Sequence, residues 1–251
     1  MKLVGALLRR FCIVLTSCWI SSACIAAEVR VAVASNFYPT AQQLVDVFEQ
    51  ESNHEVVLSA GSTGKHFAQI QHGAPFDLFL AADQERPSKL VEASIGDSST
   101  LKPYAIGQLV LWQPGASSSE AILKNLSSGG GFIALANPKL APYGRAAEQT
   151  LANLKLDGDI QARIVTGENV SQAYQYVATG NAKHGFVALA QILERPGLES
   201  ENVWRIPSDK HDPIVQSLLL INDGEASRAF YDFMFSSAAS EIIQSAGYLI
   251  P

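Results

Sequence analysis

Short apolar runs alternate along this chain with segments of helical periodicity, and that alternation limits its fold more than any other feature. "EVRVAVASN" is a β-rich apolar run. In "FYPTAQQLVDVFEQES", Phe37, Ala41, Leu44 and Phe48 recur at helical spacing, with Pro39 tolerated in the first turn. The unit is strand, short loop, helix, and it repeats. "HEVVLSA", "FDLFLAAD", "YAIGQLVLW", "GFIALAN" and "ARIVTGEN" predict strands, while "KHFAQIQHG", "RPSKLVEAS", "RAAEQTLANLKL" and "VSQAYQYVATGN" predict helices. "GSTG" predicts a loop, "HGFVALAQIL" a strand passing into a helix, and "WRIP" and "PIVQSLLLIN" extended segments. "ASRAFYDFMFSSAASEIIQSAGY" predicts one or two closing helices. The alternation predicts α/β architecture with mainly parallel sheets.

The first 27 residues stand apart. Lys2, Arg9 and Arg10 precede an apolar run from Phe11 to Ile20, too short to span a bilayer, and small residues from Ala23 to Ala27 follow. This pattern predicts a secretory signal peptide over residues 1–27, cleaved near Ala26 or Ala27. Ser21-Ser22-Ala23-Cys24 only partly matches a lipoprotein cleavage box, because Ser21 stands where a leucine is expected. The expected location is therefore the periplasm, without a lipid anchor. Cys12, Cys18 and Cys24 all lie in the leader, so the mature chain carries no thiol for disulfides or metal sites. Cleavage takes the formal charge from −6 to −9, with 15 basic and 24 acidic residues left. So acidic a chain, without a Lys/Arg cluster, is unsuited to nucleic acid or an anionic membrane surface.

In α/β sheets, ligands sit at the carboxyl ends of strands, where the next helix offers free N–H groups and the positive end of its dipole. Four such junctions share a chemistry. Ser35-Asn36 and Ser62-Thr63-Gly64 precede the first two helices, Pro142-Tyr143-Gly144 opens a third, and Asn169-Val170 a fourth. Asn169 and Gln172 have capping-box spacing, which leaves the Val170 amide at the helix tip. Each junction alone reads as an ordinary cap, since Ser, Thr and Asn cap most helices. As a set, four uncharged donor tips suit a small anion.

Several other chemistries are weaker. "SAGSTGKH" hints at a nucleotide-binding loop, but that motif needs a glycine at position 59 and a hydroxyl at 66, where the chain has Ser59 and His66. His54, His66, His72, His184 and His211 are scattered without ligand spacing and read as surface residues. Asp77 and Asp83 flank a strand; a general acid/base pair in a secreted hydrolase is one reading, strand-end and capping roles the simpler one. Lys65 reads as a solvated helix residue, and Trp112 and Trp204 as core or lobe-edge packing.

The segments "VASNFYPTAQQLVDVFE", "SAGSTGKHFAQIQHGAPFDLFLAAD", "YAIGQLVLW", "NPKLAPYGRAAEQTL", "GENVSQAYQYVATGNAKHGFVALAQI" and the ending "SAGYLIP" together resemble periplasmic molybdate-binding proteins, in order and over the whole mature chain. The resemblance implies a two-lobed type II periplasmic-binding-protein fold that closes on molybdate or tungstate and delivers it to an ABC permease with its cytoplasmic ATPase. It implies no enzyme activity, no cofactor and no direct protein ligand to molybdenum, and a monomer is expected. Carried over residue by residue, Ser35 and Asn36 hold the anion from the first loop and Thr63 from the second with Ser62 beside it, while Tyr143 and Val170 donate backbone N–H groups. Lobe 1 is expected over 28–108 plus 206–251 and lobe 2 over 109–205, joined by crossovers near Gly107 to Leu111 and Arg205 to Ser208. Ala188 departs from the pattern, standing where some members place a tyrosine.

The chemistry of the tips agrees with the substrate class. Molybdate, tungstate and sulfate are fully deprotonated at neutral pH and need only donors, whereas phosphate keeps a proton and benefits from a carboxylate acceptor. No tip carries Asp or Glu at its contact, although Glu168 is near in sequence. Another tetrahedral oxyanion, sulfate or phosphate, is the alternative ligand, and a module that binds the anion only to signal is a further one; the choice of molybdate rests on the resemblance.

Overall fold

The computed structural model describes residues 28–128, 130–155, 158–194 and 202–251. The expected signal peptide and the three cysteines lie outside the described residues. Two five-stranded sheets carry the fold. The first holds β1 (Glu28–Ala34), β2 (Glu55–Gly61), β3 (Leu78–Ala81), β4 (Lys102–Gly107) and β10 (Ile214–Leu220), in the order β2-β1-β3-β10-β4. The second holds β5 (Leu109–Trp112), β6 (Ile133–Ala136), β7 (Ile164–Gly167), β8 (His184–Ala188) and β9 (Val203–Arg205), in the order β7-β6-β8-β5-β9.

The sheets are mixed. β1 pairs in parallel with β2 and β3, and β6 with β7 and β8. The other pairs, β10 with β3 and β4, and β5 with β8 and β9, are antiparallel. The reason is the chain path: each sheet takes in one strand that arrives from the other. "YAIGQLVLW" is thus two strands, with the chain crossing between sheets at Gln108. The Gln108 carbonyl accepts from Leu189 N at 2.9 Å, and its side-chain amide donates to Gly247 O at 2.7 Å, so the crossing leaves these polar groups satisfied. Residues 206–213 make the return crossing from β9 to β10.

The parallel strands lead into the helices that frame the site. α1 (Tyr38–Glu51) has Pro39 in its first turn and buries Ala41, Leu44, Val45 and Phe48 on one stripe. α2 (Thr63–Gln71) is capped by Ser62, whose hydroxyl accepts from Lys65 N at 3.3 Å, so the expected "GSTG" loop divides into the last residue of β2, the cap and the first two residues of the helix. α3 (Glu85–Glu92) follows β3. α4 (Ser119–Ser128), for which the sequence reading assigns no element, buries Ile122 and Leu126 one turn apart. α5 (Pro142–Asn153) follows β6, α6 (Val170–Ala178) follows β7, and α7 (Leu189–Leu193) follows β8. α8 (Glu225–Phe233) and α9 (Ser237–Ser245) return to the first sheet, packing Phe230 and Ile243 into its core with Phe37 and Leu44. No helix among the described residues is long and apolar enough to cross a membrane.

Two histidines expected at the surface are buried. His66 is 3% exposed, edge-on to Phe76 and Phe79, and His184 is 0% exposed at the start of β8. Both lie on the inward face of their element, where position overrides the polarity of an isolated imidazole.

Candidate functional site

The carboxyl ends of β1 and β2 in one sheet face those of β6 and β7 in the other. Ser35, Asn36, Thr63, Tyr143 and Val170 line one small cleft between them, with Ala34, Gly61, Ala82, Ala141 and Pro142. The space open to the centre of a water-sized sphere is about 10 Å³, roughly what a single water needs. Ser62, the sixth expected contact, lies beside this cleft with its hydroxyl oxygen committed to the α2 cap.

The donors follow from the helix starts. Thr63 and Val170 are the first residues of α2 and α6, and Tyr143 the second of α5, so their N–H groups have no acceptor within their own helices. The Gly64 amide, next in line, donates across the cleft to Leu140 O at 2.8 Å. The Thr63 hydroxyl accepts from Ala82 N at 3.0 Å and keeps its proton for another acceptor. Asn169 caps α6 by accepting from Gln172 N at 3.0 Å. The reciprocal bond comes from Glu168 N to Gln172 Oε1 at 2.6 Å, one residue earlier than capping-box spacing predicts.

Formal charges near the cleft are paired. Lys65 and Glu168 form an ion pair at 3.2 Å, so the lysine read as solvated has a partner. Asp83 caps α3 by accepting from Arg86 N at 3.1 Å and pairs with the Arg86 guanidinium, which also donates to Lys139 O at 2.7 Å. Asp77 accepts from Arg30 N at 2.7 Å. Both carboxylates thus have strand-end and capping roles. A larger hollow of about 310 Å³ adjoins the cleft, lined by Asp83, Glu85, Arg145, Gln149 and Asp212 among others. Arg145, its one lining cation, is already paired with Glu85 at 2.9 Å and Asp83 at 3.6 Å, and the helix starts that follow β2, β6 and β7 converge elsewhere.

Beneath the donors lies a polar layer that sequence reasoning missed. Asn36 Nδ2 donates to Gln216 Oε1 at 2.9 Å and to Tyr248 Oη at 3.2 Å, and Tyr248 donates back to Asn36 O at 2.7 Å. Tyr104 donates to Gln216 Oε1 at 3.3 Å. The Asn36 side chain is thereby an anchor for its loop. The Ser171 hydroxyl bridges the cleft to Ser35 O at 3.1 Å and accepts from Gln191 Nε2 at 3.2 Å. A glutamine in the apolar run "IVQSLLL" was the one available signal. Ala188 is fully buried at the start of α7, with its N–H donating to Gln191 Oε1 at 3.0 Å. Trp112 is buried against Tyr174, and Trp204 packs half-buried on the second core; neither lines the cleft.

The family model for bacterial extracellular solute-binding proteins matches residues 29–249. The molybdate-binding protein ModA of Azotobacter vinelandii is 39% identical over 247 residues, covering 96% of this chain and 97% of its own. The chain belongs to the molybdate-binding protein family. A second family member, ModA of Rhodobacter capsulatus, is 38% identical over 89% of each chain. The solved periplasmic molybdate-binding protein of A. vinelandii superposes with a TM-score of 0.82 at 38% identity, covering 89% of this chain and 99% of that one. Membership in this family puts the chain among transport binding proteins and not among enzymes.

Proposed function

We propose that this protein captures molybdate or tungstate outside the cytoplasm and hands it to an ABC permease driven by a cytoplasmic ATPase. The observation that carries the reading is the convergence of uncharged donors from both sheets on one small cleft: Ser35, Asn36 and Thr63 from one side, the Tyr143 and Val170 amides from the other. Ser62 supports this wall from its capping position. Donors without a free carboxylate match an oxyanion that carries no proton, and the amides cost no reorganisation because helix starts leave them unpaired.

Lobe 1 comprises residues 28–108 and 206–251, and lobe 2 residues 109–205, with the strand crossings as hinges. Ligand contacting both lobes favours the closed state by its differential affinity for the two states. The family relatives are named for molybdate, which supports that ligand over sulfate or phosphate. We further infer a monomer, exported to the periplasm by residues 1–27, with no cofactor and no nucleic-acid partner.

Calorimetry of the purified protein with molybdate, tungstate, sulfate and phosphate tests this. Heat with the first two at micromolar concentration, and little with the others, is expected; preference for sulfate or phosphate transfers the assignment, and silence with all four removes it.

A further inference from the structure

We propose that the side chains of Tyr143 and Gln216, meeting over Gly107, form a joint that ties lobe closure to the donor geometry of the anion site. The inference rests on the oxyanion-binding reading above and adds residues to it that do not touch the anion through their side chains.

Tyr143 and Gln216 are 2% and 0% exposed, yet the Tyr143 hydroxyl and Gln216 Nε2 have no hydrogen-bond partner among the described residues. Leaving two buried polar groups unpaired is costly, so their placement needs a reason. Both crowd one spot. A Cβ on Gly107 would fall inside contact distance of the Tyr143 hydroxyl, 2.9 Å from its Cζ and 3.3 Å from Gln216 Nε2. Only a residue without a side chain leaves room there.

The three residues span the two proposed lobes, Gly107 and Gln216 on paired strands of the first sheet and Tyr143 on a helix of the second. Gly107 ends β4, immediately before the crossing at Gln108. Gln216 lies on β10, the strand that returns from the second sheet, at a register shift against β4; such irregularities re-aim a side chain. Tyr143 stands in the first turn of α5, behind β6 of the other sheet, and its hydroxyl reaches over to the hinge strands.

Each end of the joint also reaches a donor. Gln216 Oε1 holds Asn36, hence the loop after β1. Tyr143 presents its backbone N–H at the cleft while its ring rests on Gly107. A rotation that moves α5 relative to β4 and β10 therefore moves the Tyr143 hydroxyl against Gly107 and Gln216, and Gln216 passes the displacement to Asn36. Gln216 is a positioning residue, and the Tyr143 side chain acts as a stop that defines the closed angle.

The test compares the unsubstituted protein with Gly107→Ala, Tyr143→Leu and the double variant, using calorimetry with molybdate and small-angle scattering with and without saturating molybdate. Gly107→Ala is expected to bind at least tenfold more weakly and to lose most of the ligand-induced compaction, because the methyl wedges the hinge. Tyr143→Leu keeps the backbone donor and should lose less; the double variant should recover to the level of Tyr143→Leu. Suppression shows that the methyl acts through the Tyr143 side chain, since contacting residues do not add, and the loss of ligand-induced compaction separates a joint from a merely structural contact, which would lower stability and leave compaction intact. Gln216→Met, which keeps length and removes the amide, provides a second arm, with faster molybdate release expected in stopped flow. Unchanged binding and compaction in Gly107→Ala, additive losses in the double variant, or an unchanged release rate in Gln216→Met overturns the joint. An unsubstituted protein that binds none of the four oxyanions overturns the functional reading and the joint with it, whereas normal binding by both forms overturns the joint alone.

Discussion

Lys65 Nζ lies 3.2 Å from Glu168 Oε1, joining the first turn of α2 to the residue just ahead of the α6 cap across the mouth of the cleft. The pair bears on two readings of the sequence at once, because Glu168 stands just ahead of the α6 cap and Lys65 in the first turn of α2. Paired, each cancels the other's field at the site. Both side chains are about half exposed, at 51% and 43%, so solvent and salt screen the pair and its worth is at most about 1 kcal/mol. Replacing Glu168 by Gln is expected to change molybdate affinity by less than roughly fivefold, the effect of ~1 kcal/mol. Any acceleration of release should disappear between low and high salt, as read by stopped-flow displacement.

Ser35 and Asn36 are adjacent, yet their replacements should separate. The Ser35 side chain makes no hydrogen bond to another described residue, whereas Asn36 is held by Gln216 and Tyr248 in the buried layer. Ser35→Ala should weaken molybdate binding by roughly 1–3 kcal/mol and leave the ligand-free melting temperature nearly unchanged. Asn36→Ala should weaken binding and also lower ligand-free stability by roughly 1–3 kcal/mol, since it orphans buried partners. Equal melting temperatures for the two variants would show that the anchoring layer does not bear on stability.

Thr63 has a double duty. Its hydroxyl accepts from Ala82 N, the first amide after β3, and can donate into the cleft. Thr63→Ala is expected to reduce affinity by roughly 1–3 kcal/mol, about 5- to 150-fold, whereas Thr63→Ser retains both bonds and most of the binding. Calorimetry of the pair decides; unchanged affinity in Thr63→Ala removes the residue from the site.

The strand and helix repeat was legible because each element carries its own period, and two of the candidate site's tips were legible through the capping residues Ser62 and Asn169, whereas α1 and α5 start at Phe37 and Ala141 without a side-chain cap. Ser35, Asn36, Thr63, Tyr143 and Val170 all fall on the site's tips and all line one cleft. What escaped depends on contacts far apart in the chain. Nothing near Gln216 announces Asn36, 180 residues away, nor does Lys65 announce Glu168. "YAIGQLVLW" has one continuous apolar pattern although Gln108 divides it between sheets, because both halves are buried strands. His66 and His184 read as surface residues because residue type alone does not reveal which face of an element turns inward.

Gly144 should tolerate no side chain. A Cβ there would stand 2.7 Å from the Ala136 carbonyl carbon, with the carbonyl oxygen closer still, since the first turn of α5 packs onto the end of β6. Gly144→Ala must push the helix start off the strand, and with it the Tyr143 amide. We expect a stability loss of roughly 1–3 kcal/mol, as for other overpacked positions, together with weakened binding, measured by denaturant titration and calorimetry.

His184 gives the protein an acid-sensitive core. Burial, reinforced by the neighbouring charges of Lys183 and Arg163, pushes its imidazole down to about 4, from an ordinary 6.5. Between those values the unfolded chain binds a proton that the folded protein refuses, so unfolding takes up protons and stability rises with pH. The contribution is fully present above about pH 6.5 and is lost as the pH falls toward 4. Taken from pH 7 to pH 5, the effect is on the order of 2 kcal/mol. His66, also lowered chiefly by burial, acts in the same direction. Denaturant titrations from pH 7 to pH 5 should therefore show falling stability. His184→Gln, which removes the titrating group, should flatten that slope even where it lowers stability overall. An equally steep slope in His184→Gln would assign the acid sensitivity to other groups.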